Sequence, residues 1–257
     1  MKLPLRRTLV LKEFTAAAYL SAMYTVNKVE FEEKGFTVLD DIFSTHDIDS
    51  IIKLIETHEY GSEVFRRSTD LYAIRQVLKV IPQLQLIALK ESFLNLIRTL
   101  FGVGYFPVKS IYFDKPGNSN WFVAYHQDLS ISVDKKAEVN GFGPWTVKQN
   151  QFAVQPPLEV LQNNFTARIH LDDTDSTNGV LKVIPASHKK GIYRPETIDW
   201  NVETEEYCPV KRGGVMFMSP LLLHASGRTI SSKQRRVLHI EFSKHQLPTP
   251  LQWSEKI

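Results

Sequence analysis

The chain has 257 residues, 43% of them apolar and 23% charged, with a formal net charge of +3. That is enough apolar material for a sizeable buried core, and the charges are scattered, so no basic patch points to nucleic acid and no acidic tail to a basic partner. The single cysteine, Cys208, excludes an intrachain disulfide and a cysteine-rich zinc site and agrees with a reducing compartment.

Met1 to Arg7 is basic and Phe14 to Tyr24 is apolar with small residues, but Lys12 and Glu13 interrupt the run a signal peptide needs. The segment therefore reads as mature and amphipathic. No stretch reaches the roughly 18 uncharged apolar residues of a membrane span, and a cytoplasmic protein is expected. Phe36 to Leu39 reads as a short extended piece. Ser44 and Asp47 have the spacing of a capping box, and Ile48, Ile51, Ile52 and Ile55 follow on one helical face. A second helix is predicted after Pro82, with Leu86, Leu89, Phe93, Ile97 and Leu100 as its core stripe and Gly102 as its stop. Such stripes are scaffold packing rather than partner grooves.

From about Tyr105 the chain changes to short apolar runs punctuated by Gly, Pro, Asn and Asp, the texture of an antiparallel barrel or jelly roll. The predicted strands are Val108 to Phe113, Trp121 to Tyr125, Phe165 to Leu171, Val180 to Ile184, Gly214 to Met218 and Val237 to Phe242. No linker separates the halves. We expect one mainly β domain over residues 1–257, helix-rich over about 1–104, with a β core over about 105–245 and helices packed outside it. Residues 134–163 read as mostly irregular, which favours a lid or binding loop. Trp145, Phe152 and Trp200 either line a pocket or pack in the core.

His126 and Asp128 lie two apart after an aromatic run, so on a strand both side chains share a face. With His224 they would give two imidazoles and a carboxylate, the facial set that leaves positions open on non-haem Fe(II). The same pattern occurs at His170 and Asp172. There, however, the acidic turn Asp172 to Gly179 ends in Asn-Gly, a strong hairpin signal that accounts for Asp172 as a turn residue. Nothing accounts for Asp128 so simply, and context favours the first copy. In the last strand Arg235, Val237, His239 and Glu241 alternate with Arg236, Leu238, Ile240 and Phe242. The second set is apolar after its first member and should face the helices, which turns Arg235 inward. A guanidinium inside a barrel needs an anion: either an internal acid such as Glu241 or, beside a metal, the far carboxylate of an oxo-acid co-substrate.

These elements together resemble the phytanoyl-CoA dioxygenase family of Fe(II)/2-oxoglutarate-dependent oxygenases, from about Val29 to Phe242. The residues that carry the resemblance are Phe113 to Pro116, Tyr125-His126-Gln127-Asp128, Leu171-Asp172-Asp173 with Asn178 to Leu181, Ile184 to Gly191, and Pro220 to Ser226 with Arg235. The resemblance implies a double-stranded β-helix, a cupin-like jelly roll, with iron held by His126, Asp128 and His224. It also implies that Arg235 binds the distal carboxylate of 2-oxoglutarate, with Ser226 and Lys109 as further co-substrate residues. His188, in the Pro-Ala-Ser-His turn, has a structural role in the family. Ala186 stands where relatives usually have glycine, and Arg168 stands where the family's namesake has an aromatic residue. If Arg168 faces the cavity, it would meet an anionic substrate or the co-substrate.

Because Asp128 is present, hydroxylation is expected rather than halogenation, since relatives that halogenate lack this ligand. The expected partners are a small organic or lipid-like substrate, 2-oxoglutarate and dioxygen, with succinate and carbon dioxide as co-products. A cupin-like metal enzyme without 2-oxoglutarate, or a non-catalytic binding module, are the alternatives; the first leaves Arg235 without a role and the second has no need of all four residues. No glycine-rich phosphate loop supports a coenzyme A ester.

Overall fold

The computed structural model describes residues 16–59, 65–67, 72–148 and 151–257. The basic stretch Met1 to Arg7 and the interrupting Lys12 and Glu13 lie outside the described residues. In chain order the elements are α1 (Ala16–Lys34), β1 (Phe36–Leu39), α2 (Thr45–Thr57), β2 (Phe65–Arg67), β3 (Tyr72–Arg75), α3 (Val77–Val80), α4 (Gln83–Ala88), α5 (Glu91–Phe101) and β4 (Phe106–Lys115). They continue as β5 (Val123–His126), β6 (Ile131–Val133), β7 (Trp145–Lys148), β8 (Gln151–Val154), α6 (Leu158–Gln162), β9 (Phe165–His170), β10 (Leu181–Val183), β11 (Glu206–Cys208), β12 (Val215–Met218), β13 (His224–Ser226) and β14 (Arg235–Ser243).

The alternation of β14 explains the architecture. Its outward residues Leu238, Ile240 and Phe242 are fully buried in a core with Phe93, Ile97 and Leu100 of α5 and with Ile51 and Ile55 of α2. Phe101 stacks on Phe165 at 3.9 Å between centroids, and Phe165 stacks on Phe242 at 5.1 Å. The helices thus cover one face of a seven-stranded sheet in the order β1-β12-β9-β14-β4-β3-β2. A four-stranded sheet, β11-β10-β13-β5, supplies the other wall, and every strand pairing is antiparallel. Both sheets contribute residues to the cavity between them, which is the expected double-stranded β-helix with flanking helices.

The capping box forms as expected. Ser44 Oγ accepts from the Asp47 amide at 3.1 Å, and Asp47 Oδ2 accepts from the Ser44 amide at 2.8 Å. Asp47 also receives Lys90 Nζ at 2.7 Å, and this contact bears on a correction. The single helix predicted after Pro82 is two helices, broken at Leu89 and Lys90, where Lys90 adopts an extended conformation (ψ 150°). The break rotates α5 so that Phe93, Leu96, Ile97 and Leu100 face the core, whereas Leu86, predicted in that stripe, is 81% exposed. Gly102 ends the helix as predicted, with φ at 92°.

The segment 134–163 is also more ordered than its Gly and Pro content implies. β8 pairs with β6 on one side and β7 on the other in a three-stranded sheet, and α6 follows. Trp145 and Phe152 pack there against a core of Val108, Ile131, Val154 and Trp253. These alternating aromatic and β-branched residues hold strands against the local turn signals on either side. Strands β2, β3, β6, β11 and β13, each three or four residues long, have no counterpart among the predicted strands.

At the turn before the short helical segment Ser187–Lys190, Ala186 adopts φ 63°, ψ 0°, the left-handed conformation that glycine takes without steric cost. Ala186→Gly is therefore expected to raise stability by about 0.5 to 1 kcal/mol, and Ser44→Ala to lower it by about 1 kcal/mol. Urea unfolding of the two variants beside the parent protein measures both. An unchanged midpoint for either variant would contradict the local geometry at that site.

Candidate metal centre and cofactor cavity

β13 pairs with β5 so that His224 and His126 are direct cross-strand partners, with ring centroids 4.2 Å apart. Asp128 follows just past the end of β5, and its amide donates to Pro220 O at 2.8 Å, which ties the turn after β5 to the turn before β13. The carboxylate lies 3.8 Å from both His126 Nε2 and His224 Nε2. One ligand atom from each of the three residues falls within 4.8 Å of the others, the only such group among the described residues.

The tautomers follow from hydrogen bonding. His126 Nδ1 is 2.9 Å from Ala124 O, and His224 Nδ1 is 2.9 Å from Leu222 O. A carbonyl can only accept, so each Nδ1 carries the proton and each Nε2 presents a lone pair to the Asp128 side of the cavity. Burial pushes the His224 pKa down to about 4, against the opposing pull of Asp128, so the ring is neutral at neutral pH. Burial alone would raise the Asp128 pKa, but His224, His239, Lys109 and His126 outweigh it and hold the group below the usual carboxylate range. Two imidazoles held by their Nδ1 atoms and an ionised carboxylate are a donor set that suits a divalent ion, and their hydrogen-bonded partners fix its geometry.

Gln127, between the two candidate ligands His126 and Asp128, carries no signal of its own in the sequence. Its buried amide donates to Leu221 O at 2.5 Å and Gly191 O at 2.8 Å, and its Oε1 accepts from the Tyr193 amide at 2.8 Å. It therefore pins residues 191–193 and 221 to the turn that carries Asp128.

The cavity beside these residues has a volume of about 450 Å³. His126, His224, Ser226 and Leu181 line it from the smaller sheet, and Phe113, Arg168, Arg235 and His239 from the larger one, with Arg75 and Trp121 at its wall. Arg235 is inward as expected. Glu241 is not its partner, because that carboxylate binds Lys109 Nζ at 2.6 Å and faces His239 Nε2 at 3.3 Å. Arg235 Nη1 instead donates to Gly179 O, and its buried Nε has no partner. Gly179 has φ at 84°, and a Cβ there would lie 2.8 Å from Lys115 Nζ; the Asn-Gly turn does not close the hairpin its sequence predicts, because β9 and β10 belong to different sheets, and it seats Arg235 through the Gly179 carbonyl. Ser226 Oγ is likewise buried without a partner. Burial lowers the Arg235 pKa to about 9, with Arg168 adding repulsion, and the guanidinium stays protonated at neutral pH.

Lys109 does not line this cavity. Its ammonium is held by Glu241, and it borders a smaller void with Arg75, Ser110 and Glu255. Trp145 and Phe152 are core residues, and Trp200 lies against Tyr125 at 5.8 Å between centroids, outside the cavity lining.

In the second His-x-Asp copy the aspartate and the His170 Nδ1 are committed elsewhere, and only the buried His170 Nε2 is without a hydrogen-bond partner. Asp172 accepts Arg236 Nε at 2.9 Å, Arg236 Nη2 at 2.8 Å and the Arg236 amide at 2.8 Å. His170 Nδ1 is 2.7 Å from Thr174 Oγ1, and burial lowers the pKa of this histidine well below its ordinary value.

A family model for phytanoyl-CoA dioxygenase (PhyH) matches residues 31–237. No curated protein sequence matches the chain. Among solved structures, EctD from S. alaskensis, solved with bound iron, is similar with a TM-score of 0.67 at 18% identity, covering 87% of this chain and 78% of that one. The non-haem alpha-ketoglutarate-dependent epimerase SnoN from nogalamycin biosynthesis has a TM-score of 0.66 at 13% identity, covering 92% and 93%. The alpha-ketoglutarate-dependent carbocyclase SnoK from the same biosynthesis has a TM-score of 0.63 at 15% identity, covering 86% and 84%. At these identities the likeness establishes the fold, while the family match spans most of the sequence; the chain belongs to the phytanoyl-CoA dioxygenase (PhyH) family.

Proposed function

We propose that the protein is an Fe(II)- and 2-oxoglutarate-dependent dioxygenase that hydroxylates a small organic molecule, with iron held by His126, Asp128 and His224. The observation that carries this reading is the placement, in one cavity, of a three-donor metal set beside a buried guanidinium that no carboxylate neutralises, Arg235. EctD has been solved with 2-oxoglutarate and 5-hydroxyectoine, which supports the same cofactor and co-substrate here.

When bound, Fe(II) and 2-oxoglutarate supply the oxidising chemistry, in which dioxygen is consumed and the oxo acid leaves as succinate and carbon dioxide. The chain's own residues supply placement. The Nδ1 bonds of His126 and His224 to main-chain carbonyls hold both rings with Nε2 toward the metal position. Arg235, with its unpartnered Nε, and Ser226, with its unpartnered Oγ, are the groups suited to a dicarboxylate's far end. Lys109 we assign to orientation of Glu241 rather than to direct co-substrate contact. Gln127 keeps the loop at 191–193 closed against the turn that bears Asp128.

Asp128 retains the third ligand position, which supports hydroxylation over halogenation. SnoN and SnoK are described as an epimerase and a carbocyclase, so on this scaffold the outcome depends on which substrate atom is presented, and the wall residues decide it. A cupin-type metal enzyme without an oxo acid would leave Arg235 and Ser226 with no anion to bind. A reducing, cytoplasmic setting fits the free, buried Cys208, and no helix among the described residues is long and apolar enough to cross a membrane.

His126→Ala is expected to bring bound iron to background and to stop succinate formation, whereas His170→Ala retains iron; metal analysis after desalting reads both. The opposite pattern would overturn the ligand assignment. For Arg235→Ala, iron content should be unchanged while the 2-oxoglutarate concentration giving half-maximal succinate formation rises at least about tenfold, the worth of one charge-assisted pair. An unchanged half-maximal concentration would remove Arg235 from the co-substrate site.

A further inference from the structure

The cavity holds a second guanidinium that the metal and 2-oxoglutarate do not require. Arg168, on the inner face of β9, is 6% exposed and lines the same cavity. Among the described residues it has no carboxylate partner, and its buried Nε has no hydrogen-bond partner. Its side chain is nevertheless held. Nη1 lies 3.1 Å from His239 Nδ1, His239 Nε2 lies 3.3 Å from Glu241 Oε1, and Glu241 Oε1 receives Lys109 Nζ at 2.6 Å. A guanidinium only donates, so His239 Nδ1 must accept and Nε2 must carry the proton toward Glu241. The strand registers build this chain of contacts, since His239 lies opposite Arg168 on one side while Glu241 lies opposite Lys109 on the other. Three side chains, His239 and Glu241 of β14 and Lys109 of β4, therefore orient one edge of Arg168 and leave the rest of its fork without a partner. A buried cation left unpaired is costly, and here it is braced rather than neutralised.

Charge counting indicates what it awaits. With Arg75 left aside because it has interactions of its own, Lys109 and Glu241 cancel. The cavity then carries the two guanidiniums of Arg168 and Arg235 and one carboxylate, Asp128. On the oxygenase reading given above, Fe(II) adds two positive charges and 2-oxoglutarate two negative ones. One positive charge is then left over.

We propose that Arg168 is the substrate-binding arginine and that the substrate carries a carboxylate, which Arg168 holds through the donors that His239 leaves free. The substrate class is thus a small monocarboxylic acid, oxidised at a carbon that the Arg168 contact places beside the metal position. A planar fork with adjacent free donors matches a carboxylate bidentately, and a fixed anchor of this kind determines which carbon is presented.

The test uses Fe(II)-loaded full-length protein held anaerobically with saturating 2-oxoglutarate, so that the Arg235 side of the cavity is occupied. Propionate, hexanoate, benzoate and phenylacetate are each titrated against the corresponding amide. Binding is followed by the change in the visible charge-transfer band of the iron chelate and by the shift in thermal midpoint. At least one acid is expected to bind about tenfold or more tighter than its amide. In Arg168→Met that preference should vanish, while the 2-oxoglutarate titration stays within about threefold of the parent protein, because Arg235 carries the co-substrate. Without ligands, Arg168→Met should melt no lower than the parent, since a methionine removes an unpaired buried charge. Arg168→Lys, which keeps the charge, should retain part of the acid preference and checks the result if the methionine variant unfolds. Equal affinity for acids and amides throughout would overturn the proposal, as would loss of 2-oxoglutarate binding in Arg168→Met to the extent expected for Arg235→Ala. Absence of the charge-transfer band from the parent protein would instead bring down the oxygenase reading itself, and so the two failures are distinguishable.

Discussion

The two-residue alternation of one strand, β14, sets up most of what this protein does. Its outward side chains close a dry core with the helices, while on its inner face Arg235 and His239 stand in the cavity wall and Glu241 backs them by binding Lys109 and His239. A strand can hold both sets only if its register is fixed, because a slip of one residue would move arginine into the core and leucine into the cavity. The nine-position ladder with β4 and the pairing with β9 provide that fixation. The shorter sheet then has little to specify: β5 and β13 need only bring His126 and His224 face to face across one ladder pair.

This arrangement places cations where burial disfavours them. Arg168 and Arg235 are both 6% exposed or less, and burial lowers the pKa of each, to about 10 and about 9. The cost falls on the folded state and is offset by the continuous core of Phe, Ile and Leu outside the larger sheet. Ligands that complete the charge balance relieve it, and so binding and folding are linked: an anion at about 100 times its Kd adds about 2.7 kcal/mol of stability. The same logic explains why the groups near the metal position are braced by hydrogen bonds rather than by opposite charges. Main-chain carbonyls hold the two histidines, and His239 holds Arg168. A neutral brace fixes orientation without cancelling the charge the site uses.

Much of this was legible in the sequence wherever a period or a spacing carried it. The alternation of β14, the His126 and Asp128 pair and the Ser44 cap each follow from local rules that the tertiary structure keeps, whereas Asn178-Gly179, a hairpin signal by its sequence, joins strands of two different sheets. The competing His170 and Asp172 pair could be set aside by context, and the geometry gives the reason, since Arg236 takes the aspartate in a bidentate pair. What the sequence hid depends on contacts between distant segments. The break at Lys90 is accompanied by a partner more than forty residues away, Asp47. The family resemblance implies Lys109 as a co-substrate residue, yet Glu241 faces it across the ladder and pairs with its ammonium. His239 was visible only as an inward residue; its part in holding Arg168 needs the register of three strands at once.

The central claim is that one cavity holds iron on His126, Asp128 and His224 and an oxo acid on Arg235. Anaerobic titration of the Fe(II)-loaded protein with 2-oxoglutarate tests it most directly. A weak visible charge-transfer band that saturates with one equivalent of 2-oxoglutarate per iron, and is absent with succinate, is the result this account predicts. Iron that binds without producing the band would contradict the oxo-acid site and favour a metal enzyme of another kind, and failure to bind iron at all would contradict the metal centre itself.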